Sequence, residues 1–149
     1  MPTIRNCRSD DFGAVVALLQ LHWPEAVFGQ SQLRSLFERA LISPRQRYLC
    51  AEVEGQVVGF GSLTIKTSLR EGSIGYVDEM VVDPKNRGQG IATLLMQRLE
   101  DLAVASGCSH LHLDAAFHRK ETHAFYEQRR FERRALLFSK ELRETSRGA

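Results

Sequence analysis

The chain has few cysteines and none of the spacings in which cysteines usually act together. Its 149 residues contain three, Cys7, Cys50 and Cys108, which stand far apart along the sequence. An odd number of isolated cysteines argues against a disulfide framework, a structural zinc site and a dithiol redox motif. We therefore expect a protein of a reducing compartment, the cytoplasm.

Signals for export, membrane insertion and nucleic-acid binding are also missing. No basic region with an apolar core follows Met1-Pro2-Thr3, and no run approaches about 18 apolar residues. A formal net charge of +2 with 26% charged residues is a mild imbalance, so we expect neither a nucleic acid nor a membrane as partner. A length of 149 residues is near the usual size of one domain, and with 43% apolar residues the chain can form one core. We therefore expect a single domain over residues 1–149.

What the sequence does contain is a glycine-rich segment, Arg87-Gly88-Gln89-Gly90-Ile91-Ala92, here called the phosphate loop. Its two glycines allow the backbone conformations in which successive N–H groups converge on an anion. A helix beginning near Gly90 adds unpaired N–H groups and a positive dipole end. Arg87 adds a planar guanidinium that suits phosphate oxygens. The segment therefore predicts a pyrophosphate-binding site.

Two common nucleotide motifs fit this segment poorly. A nucleotide P-loop would place Lys-Ser or Lys-Thr after its last glycine, where this chain has Ile91-Ala92. A dinucleotide fingerprint needs three glycines spaced as GxGxxG, and only two of these positions match. Both nucleotide interpretations are weakened.

Apolar periodicity predicts alternating strands and helices. Ser9 is the expected N-cap of a first helix that stops before Pro24, Glu54-Gly55-Gln56 is a hairpin turn, and Lys66 to Gly75 is a polar connection. The predicted strands are 3–7, 48–53, 57–65, 76–82, 108–114 and 136–142, and the later helices are 30–42, 90–106 and 121–129. We therefore predict a mixed α/β fold with antiparallel pairing between the middle strands.

The segment from Val81 to Ala92 resembles the acetyl-CoA-binding motif of the GCN5-related N-acetyltransferases, R/Q-x-x-G-x-G/A, at all six signature positions. Phe125-Tyr126-Glu127 followed by Phe131 resembles the downstream F-Y-E-x-x-G-F element of the same family. This second block departs from the family at three positions: Arg130 replaces the usual glycine, Thr122 a common alanine and Arg119 a frequent asparagine.

The resemblance implies a three-layer α-β-α fold with a mostly antiparallel, twisted sheet of about six to seven strands. It implies acetyl-CoA as cosubstrate, with no metal, and a backbone pairing of Met80 and Val82 with the pantetheine arm. The expected cofactor-binding residues are Met80, Val81, Val82, Arg87, Gly88, Gln89, Gly90, Ile91, Ala92 and Thr93.

The implied reaction is acetyl transfer to a primary amine by direct attack on the thioester. Carried over from the family, Tyr126 supports the departing thiol as proton donor. Asp78 and Glu79 are both candidates for the base. Adjacent strand residues point to opposite faces, so only one should face the acceptor unless a bulge intervenes; otherwise water removes the proton.

The acceptor-binding residues are less defined. Relatives commonly shape that site with the segment between the first two helices, here containing His22, Trp23, Glu25 and Phe28, and Lys66 to Gly75 is a second candidate wall. We expect a small-molecule amine, with a protein or peptide acceptor or a non-catalytic acyl-CoA-binding module as alternatives. The resemblance also allows a homodimer.

A metal site at Cys108, His110, His112 and Asp114 is disfavoured. These residues recur at every second position, and four ligands along one strand span roughly 20 Å, too far to meet one ion. A polar strand face is the simpler interpretation.

Overall fold

The computed structural model describes residues 1–142. Within that range the chain forms two compact units, one comprising residues 1–112 and one beginning at Leu113. The expectation of a single domain over residues 1–149 stays a prediction.

The first unit is built on one five-stranded sheet in the order β1-β2-β3-β4-β5. The first four strands pair antiparallel, and β4 pairs with β5 in parallel. The sheet therefore confirms the mixed α/β class but has fewer strands than predicted. The strands are β1 Thr3–Asn6, β2 Gln46–Val53, β3 Gln56–Ser68, β4 Gly72–Val82 and β5 His110–His112; the helices of this unit are α1 Phe12–His22, α2 Gln30–Ile42 and α3 Ile91–Ala105.

Two local predictions for this unit were wrong, and one predicted strand is shorter than expected. The polar connection from Lys66 to Gly75 is mostly strand, because β3 and β4 pair as far as Ser68 and Gly72. Ser9 does not cap α1: its hydroxyl donates to Glu38 at 2.5 Å, while the Asp11 carboxylate accepts the Arg8 N–H at 2.6 Å. The strand predicted over 108–114 is only three residues long.

The second unit contains one helix, α4, Lys120–Gln128. The final strand predicted over 136–142 was wrong, since this segment has no regular secondary structure. Its apolar side chains are exposed, and it has no strand partner among residues 1–142. An apolar run alone does not make a strand, because its backbone N–H and C=O groups need a neighbouring strand as hydrogen-bond partner.

Helices cover both faces of the sheet in the first unit. On one face, α1 and α2 contribute Phe12, Val15 and Phe37 to a buried cluster with Phe60 of β3 and Val81 of β4. The opposite face carries α3, whose buried side chains are Ile91, Leu95, Met96, Leu99 and Ala103. This arrangement confirms the three-layer α-β-α prediction.

Glycines allow α3 to lie directly on the strands. A Cβ atom at Gly59 would lie 3.1 Å from Ala51 Cβ and 3.3 Å from Ile91 Cγ2. One at Gly61 would lie 3.1 Å from Leu99 Cδ1. These distances are shorter than most side-chain contacts, so a Cβ atom at either position would force its neighbours to shift, and glycine favours the close approach of α3. Because α3 begins at Ile91, the same packing sets the position of the phosphate loop.

We predict that Gly59→Val destabilises the fold by about 2 kcal/mol, because overfilling a packed interface forces side chains or backbone to move. Chemical denaturation with urea measures the change. The matched control is Gly13→Ala in the first turn of α1, where an added Cβ meets nothing within 4 Å. Equal stability of the two variants would contradict this account.

Candidate active site

A β-bulge lies at the two candidate carboxylates of β4. Ser62 is opposite Glu79 and Leu63 is opposite Val77, so Asp78 is an extra residue with no partner in the ladder. A bulge of this kind re-aims neighbouring side chains. Both Asp78 and Glu79 therefore line the same cleft, instead of facing opposite sides as in a regular strand.

The cleft is open to solvent and has a volume of about 560 Å³. The sheet contributes Gln46, Tyr48 and Thr64 beside the two carboxylates. Helix α2 and the residue after it contribute Leu36, Arg39 and Ser43. Polar and apolar groups thus surround a space of the size that small ligands occupy in proteins.

Glu79 is the more buried of the two carboxylates. The hydroxyl of the fully buried Ser62 donates to Glu79 Oε1 at 2.5 Å and accepts the Glu79 N–H at 2.9 Å. Burial raises the pKa of Glu79, with a further increase from the charge of Asp78, against the lowering effect of the Ser62 hydrogen bond. A carboxylate with a raised pKa is a better proton acceptor near neutral pH.

Asp78 is more exposed and accepts a hydrogen bond from Thr64 Oγ1 at 2.5 Å.

Tyr48 lines the cleft beside the carboxylates, and its ring contacts Phe37 and Phe60 at centroid distances of 5.6 and 5.2 Å. Burial raises the pKa of Tyr48 to about 12, and the charges of Glu79 and Asp78 act in the same direction. The Tyr48 hydroxyl therefore stays neutral at ordinary pH.

The cleft differs from the acceptor site expected from sequence. None of His22, Trp23, Glu25 or Phe28 lines it, and neither does the segment 66–75. The contribution of α2 was missed, although Leu36 and Arg39 are three residues apart and must share a face of that helix. Gln46 and Tyr48 likewise alternate on β2 at the spacing of one strand face.

The end of β4 has an open backbone edge. Its pairing with β5 covers only Ile74, Gly75 and Tyr76, whereas its pairing with β3 continues to Val82. Within residues 1–142, the segment 77–82 is thus paired with a neighbouring strand on one side only. Met80, Val81 and Val82, predicted to contact the cosubstrate, lie on this edge, and the Val81 side chain is buried in the core.

Two hydrogen bonds of Asp83 hold the turn before the phosphate loop, and the loop leads into α3. Asp83 donates its N–H to Val58 O at 2.8 Å, and its carboxylate accepts the Lys85 N–H at 2.9 Å. Gly88 and Gly90 have φ values of 81° and 76°. A Cβ at either position would meet nothing within 4 Å, so the requirement for glycine is conformational.

The hydrogen bonds of helix α3 begin with the N–H of Leu94, which donates to Gly90 O at 3.0 Å. Helix geometry therefore leaves the amides of Ile91 and Ala92 without intrahelical acceptors. Residues 87–90 are exposed at the same end. Ile91 is only 1% exposed, so its available group is its backbone N–H and not its side chain. This geometry suits an anion, as the sequence predicts.

Tyr126 belongs to the second unit and lies in the last turns of α4. Its ring contacts Phe125 and Phe131 at centroid distances of 5.5 and 5.6 Å. Burial raises the pKa of Tyr126, and the charge of Asp114 adds to the effect. The phenol therefore keeps its proton to a higher pH than an ordinary tyrosine, which is the state a proton donor requires.

Arg130, at the position where the family resemblance predicts glycine, adopts a backbone conformation that favours glycine. Its φ is 69°, in the left-handed region. The turn brings the Phe131 N–H to Tyr126 O at 3.1 Å, directly after α4. The turn therefore holds a non-glycine residue in a strained conformation.

Among the described residues, one buried group could offer three ligand atoms to a metal, namely Cys7, Asp11 and Cys50. Arg5 donates to both oxygens of Asp11, at 2.7 and 2.9 Å, and holds the pKa of that carboxyl below its usual range. A guanidinium already fills the coordination space and opposes a second cation. We interpret this group as structural.

The helices of residues 1–142 include none long and apolar enough to cross a membrane.

Comparison with known proteins agrees with the geometry. Residues 15–131 match the Acetyltransferase (GNAT) family. IAA acetyltransferase of Azospirillum brasilense is 38% identical over 93 residues, which cover 62% of this chain and 59% of that protein. Aminoalkylphosphonate N-acetyltransferase of Salmonella typhimurium is 29% identical over 140 residues, 93% of this chain and 90% of that protein.

The structure of the aminoglycoside N-acetyltransferase AAC(6')-Iy in complex with CoA has the same fold, with a TM-score of 0.84 over 95% of both chains at 16% identity. The chain described here belongs to the Acetyltransferase (GNAT) family and is an acyltransferase.

We predict that Gly90→Asp abolishes measurable acetyl-CoA binding in calorimetry. The change adds a negative charge at the anion-binding helix end and strains a left-handed position. Gly107→Asp is the matched control, since Gly107 follows the other end of α3 with φ 78°. Retained binding by Gly90→Asp, or equal loss in the control, would contradict the assignment of the phosphate loop.

We predict that Arg130→Gly stabilises the chain by about 1 kcal/mol, because glycine adopts a positive φ without steric cost. Thermal unfolding monitored by circular dichroism measures the gain. Arg130→Ala removes the same side chain but keeps the strain, so it should show no gain. If both variants behave alike, the strain is not the cause.

Proposed function

We propose that this protein is an acetyl-CoA-dependent N-acetyltransferase that modifies the primary amine of a small molecule. The observation that carries the proposal is the bulge at Asp78, which directs the carboxylates of Asp78 and Glu79 toward the same cleft. Both residues lie on the strand that leads to the phosphate loop. A pure acyl-CoA-binding module would have no need of a buried carboxylate with a raised pKa beside that strand.

The first step is binding of acetyl-CoA as cosubstrate. The amides at the start of α3 and the guanidinium of Arg87 would hold the pyrophosphate. The open edge of β4 at Met80 and Val82 would pair with the amides of the pantetheine arm, as an added strand pairs with a sheet edge. Two solved structures of one protein with this fold, AAC(6')-Iy, are described as complexes with CoA and with a CoA bisubstrate analogue.

The second step is removal of a proton from the acceptor ammonium. Glu79 is the preferred base, directly or through one water, because it is buried and its pKa is raised. Asp78 is more exposed, so its charge is better suited to attracting the ammonium than to removing its proton. The neutral amine then attacks the thioester carbonyl, forming the C–N bond as the C–S bond breaks.

The third step is protonation of the departing thiolate. Tyr126 is the proposed donor, on the basis of its place in the F-Y-E block and of the raised pKa that keeps its phenol protonated. The ammonium loses two protons in all. Glu79 takes the first before attack and passes it to solvent, and the second leaves the acylated nitrogen after the C–N bond forms. This second proton balances the one that Tyr126 gives to the CoA thiolate, so Tyr126 returns to its protonated state.

A small acceptor is supported by the size of the cleft and by relatives. A cleft of about 560 Å³ matches small-molecule sites, and Aminoalkylphosphonate N-acetyltransferase is among the similar proteins. A thiol-release assay over a panel of amines, with a lysine peptide and an N-terminal peptide as macromolecular probes, tests the proposal. Release with small amines supports it. Release with peptides alone, or acetyl-CoA binding without any turnover, would contradict it.

We predict that Glu79→Gln lowers kcat/KM about 100-fold or more, as expected for loss of a general base. In the wild type, kcat/KM falls toward acid as Glu79 takes up a proton, and the raised pKa moves this fall to a higher pH than for an ordinary glutamate. The pH profile of the variant should lack this acidic limb. Asp78→Asn should keep it, so an unchanged limb in Glu79→Gln would refute the base assignment.

A further inference from the structure

One charged side chain of the cleft has no role in the steps above. Arg39 lies in the last turn of α2 and lines the cleft together with Asp78 and Glu79. Among residues 1–142 its guanidinium forms no ion pair and no hydrogen bond with another side chain or with the backbone. An arginine without a partner, facing a ligand cleft, is a candidate anion-binding group.

Neighbouring arginines show that Arg39 differs from the other cations near this end of α2. The Arg47 guanidinium donates to Pro44 O and Gln46 O at 3.2 and 3.0 Å. Arg45 contacts Thr67 Oγ1 at 3.5 Å. Neither lines the cleft. The cleft therefore contains one available cation, among the described residues, and two carboxylates.

The charges of both signs in the cleft define the complementary ligand. The carboxylates of Asp78 and Glu79 suit an ammonium group, and they are not within ion-pair distance of Arg39. The exposed side chain of Leu36 and the ring of Tyr48 add apolar surface to the same cleft. A molecule with an amine at one end, a short carbon chain and an anionic group at the other would satisfy all three features.

We propose that the acceptor is a zwitterion, an amine that carries a carboxylate, phosphonate or phosphate group, and that Arg39 binds this anion. This inference rests on the proposed acetyltransferase function and deepens it. Arg39 touches the substrate away from the reacting atoms, so it sets acceptor specificity through binding and leaves the chemical step unchanged.

The test compares acceptors that share an amine and differ in the anion. Straight-chain alkylamines, ω-amino carboxylates and ω-aminophosphonates with two or four methylene groups are assayed for thiol release with wild type, Arg39→Gln and Arg39→Lys. We expect the wild type to prefer an anionic acceptor, with the carboxylate and phosphonate arms identifying which anion. In Arg39→Gln the KM for that acceptor should rise about tenfold or more with little change in kcat.

The alkylamines should show equal kinetics in wild type and Arg39→Gln, and Arg39→Lys should recover part of the preference. Arg45→Gln is the control, since it removes the same charge near α2 without altering the cleft. A wild type without preference for anionic amines would overturn the inference, as would an Arg39→Gln variant that weakens all acceptors equally. In either case turnover of alkylamines would leave the proposed function intact.

Binding measured by NMR titration of the same compounds keeps the inference testable without turnover. If no amine is acetylated, the proposed function fails. The binding preference for anionic amines and its loss in Arg39→Gln would then still support the anion site, and equal binding of all three compound classes would overturn it.

Discussion

The close packing of α3 on the sheet is the contact on which the candidate site depends. Gly59 and Gly61 remove the side chains that would separate the helix from β3. The buried residues from Ile91 to Ala103 then hold the helix at a defined depth. Because the phosphate loop includes the first residues of α3, this apolar interface determines where its amides point. A binding function is thus built on a packing constraint that involves no ligand contact.

A second constraint acts on the other face of the sheet. The bulge at Asp78 changes the side-chain alternation of β4 at the one place where two carboxylates are adjacent. Ser62 then fixes Glu79 by two hydrogen bonds, and burial raises its pKa. The bulge lies between the paired half of β4, which meets β5, and the open half, which ends at Val82. The carboxylates that line the cleft and the open backbone edge therefore belong to consecutive parts of β4.

The sequence predicts the site better on β4 and α3 than on α2. Glycine spacing, the following amphipathic helix and the two acidic residues are local patterns, so the phosphate loop and the candidate base could be identified from residues near one another in the chain. The α2 wall depends on tertiary packing. Arg39 is an ordinary exposed helical arginine in sequence, and only its place in the cleft distinguishes it. A bulge was predicted only as the condition under which both carboxylates could face the acceptor, because the register of β4 depends on its pairing with β3.

The fold was predicted well where elements are long and periodic, as in α2 and α3. The predicted strand over 136–142 is absent, and β5 is shorter than predicted, because short strands depend on their partners. Arg130 is an instructive intermediate case: the family pattern predicts glycine, and the backbone keeps the left-handed conformation despite the substitution.

The most direct measurement of the central claim is an NMR titration of the uniformly ¹⁵N-labelled protein with acetyl-CoA and, separately, with acetyl-pantetheine, which lacks the pyrophosphate. The account predicts large shifts of the Gly88, Gly90 and Ile91 amides with acetyl-CoA and small ones with acetyl-pantetheine, while Met80 and Val82 respond to both. Amides of residues 88–91 that do not respond to acetyl-CoA, or that respond equally to both compounds, would contradict it.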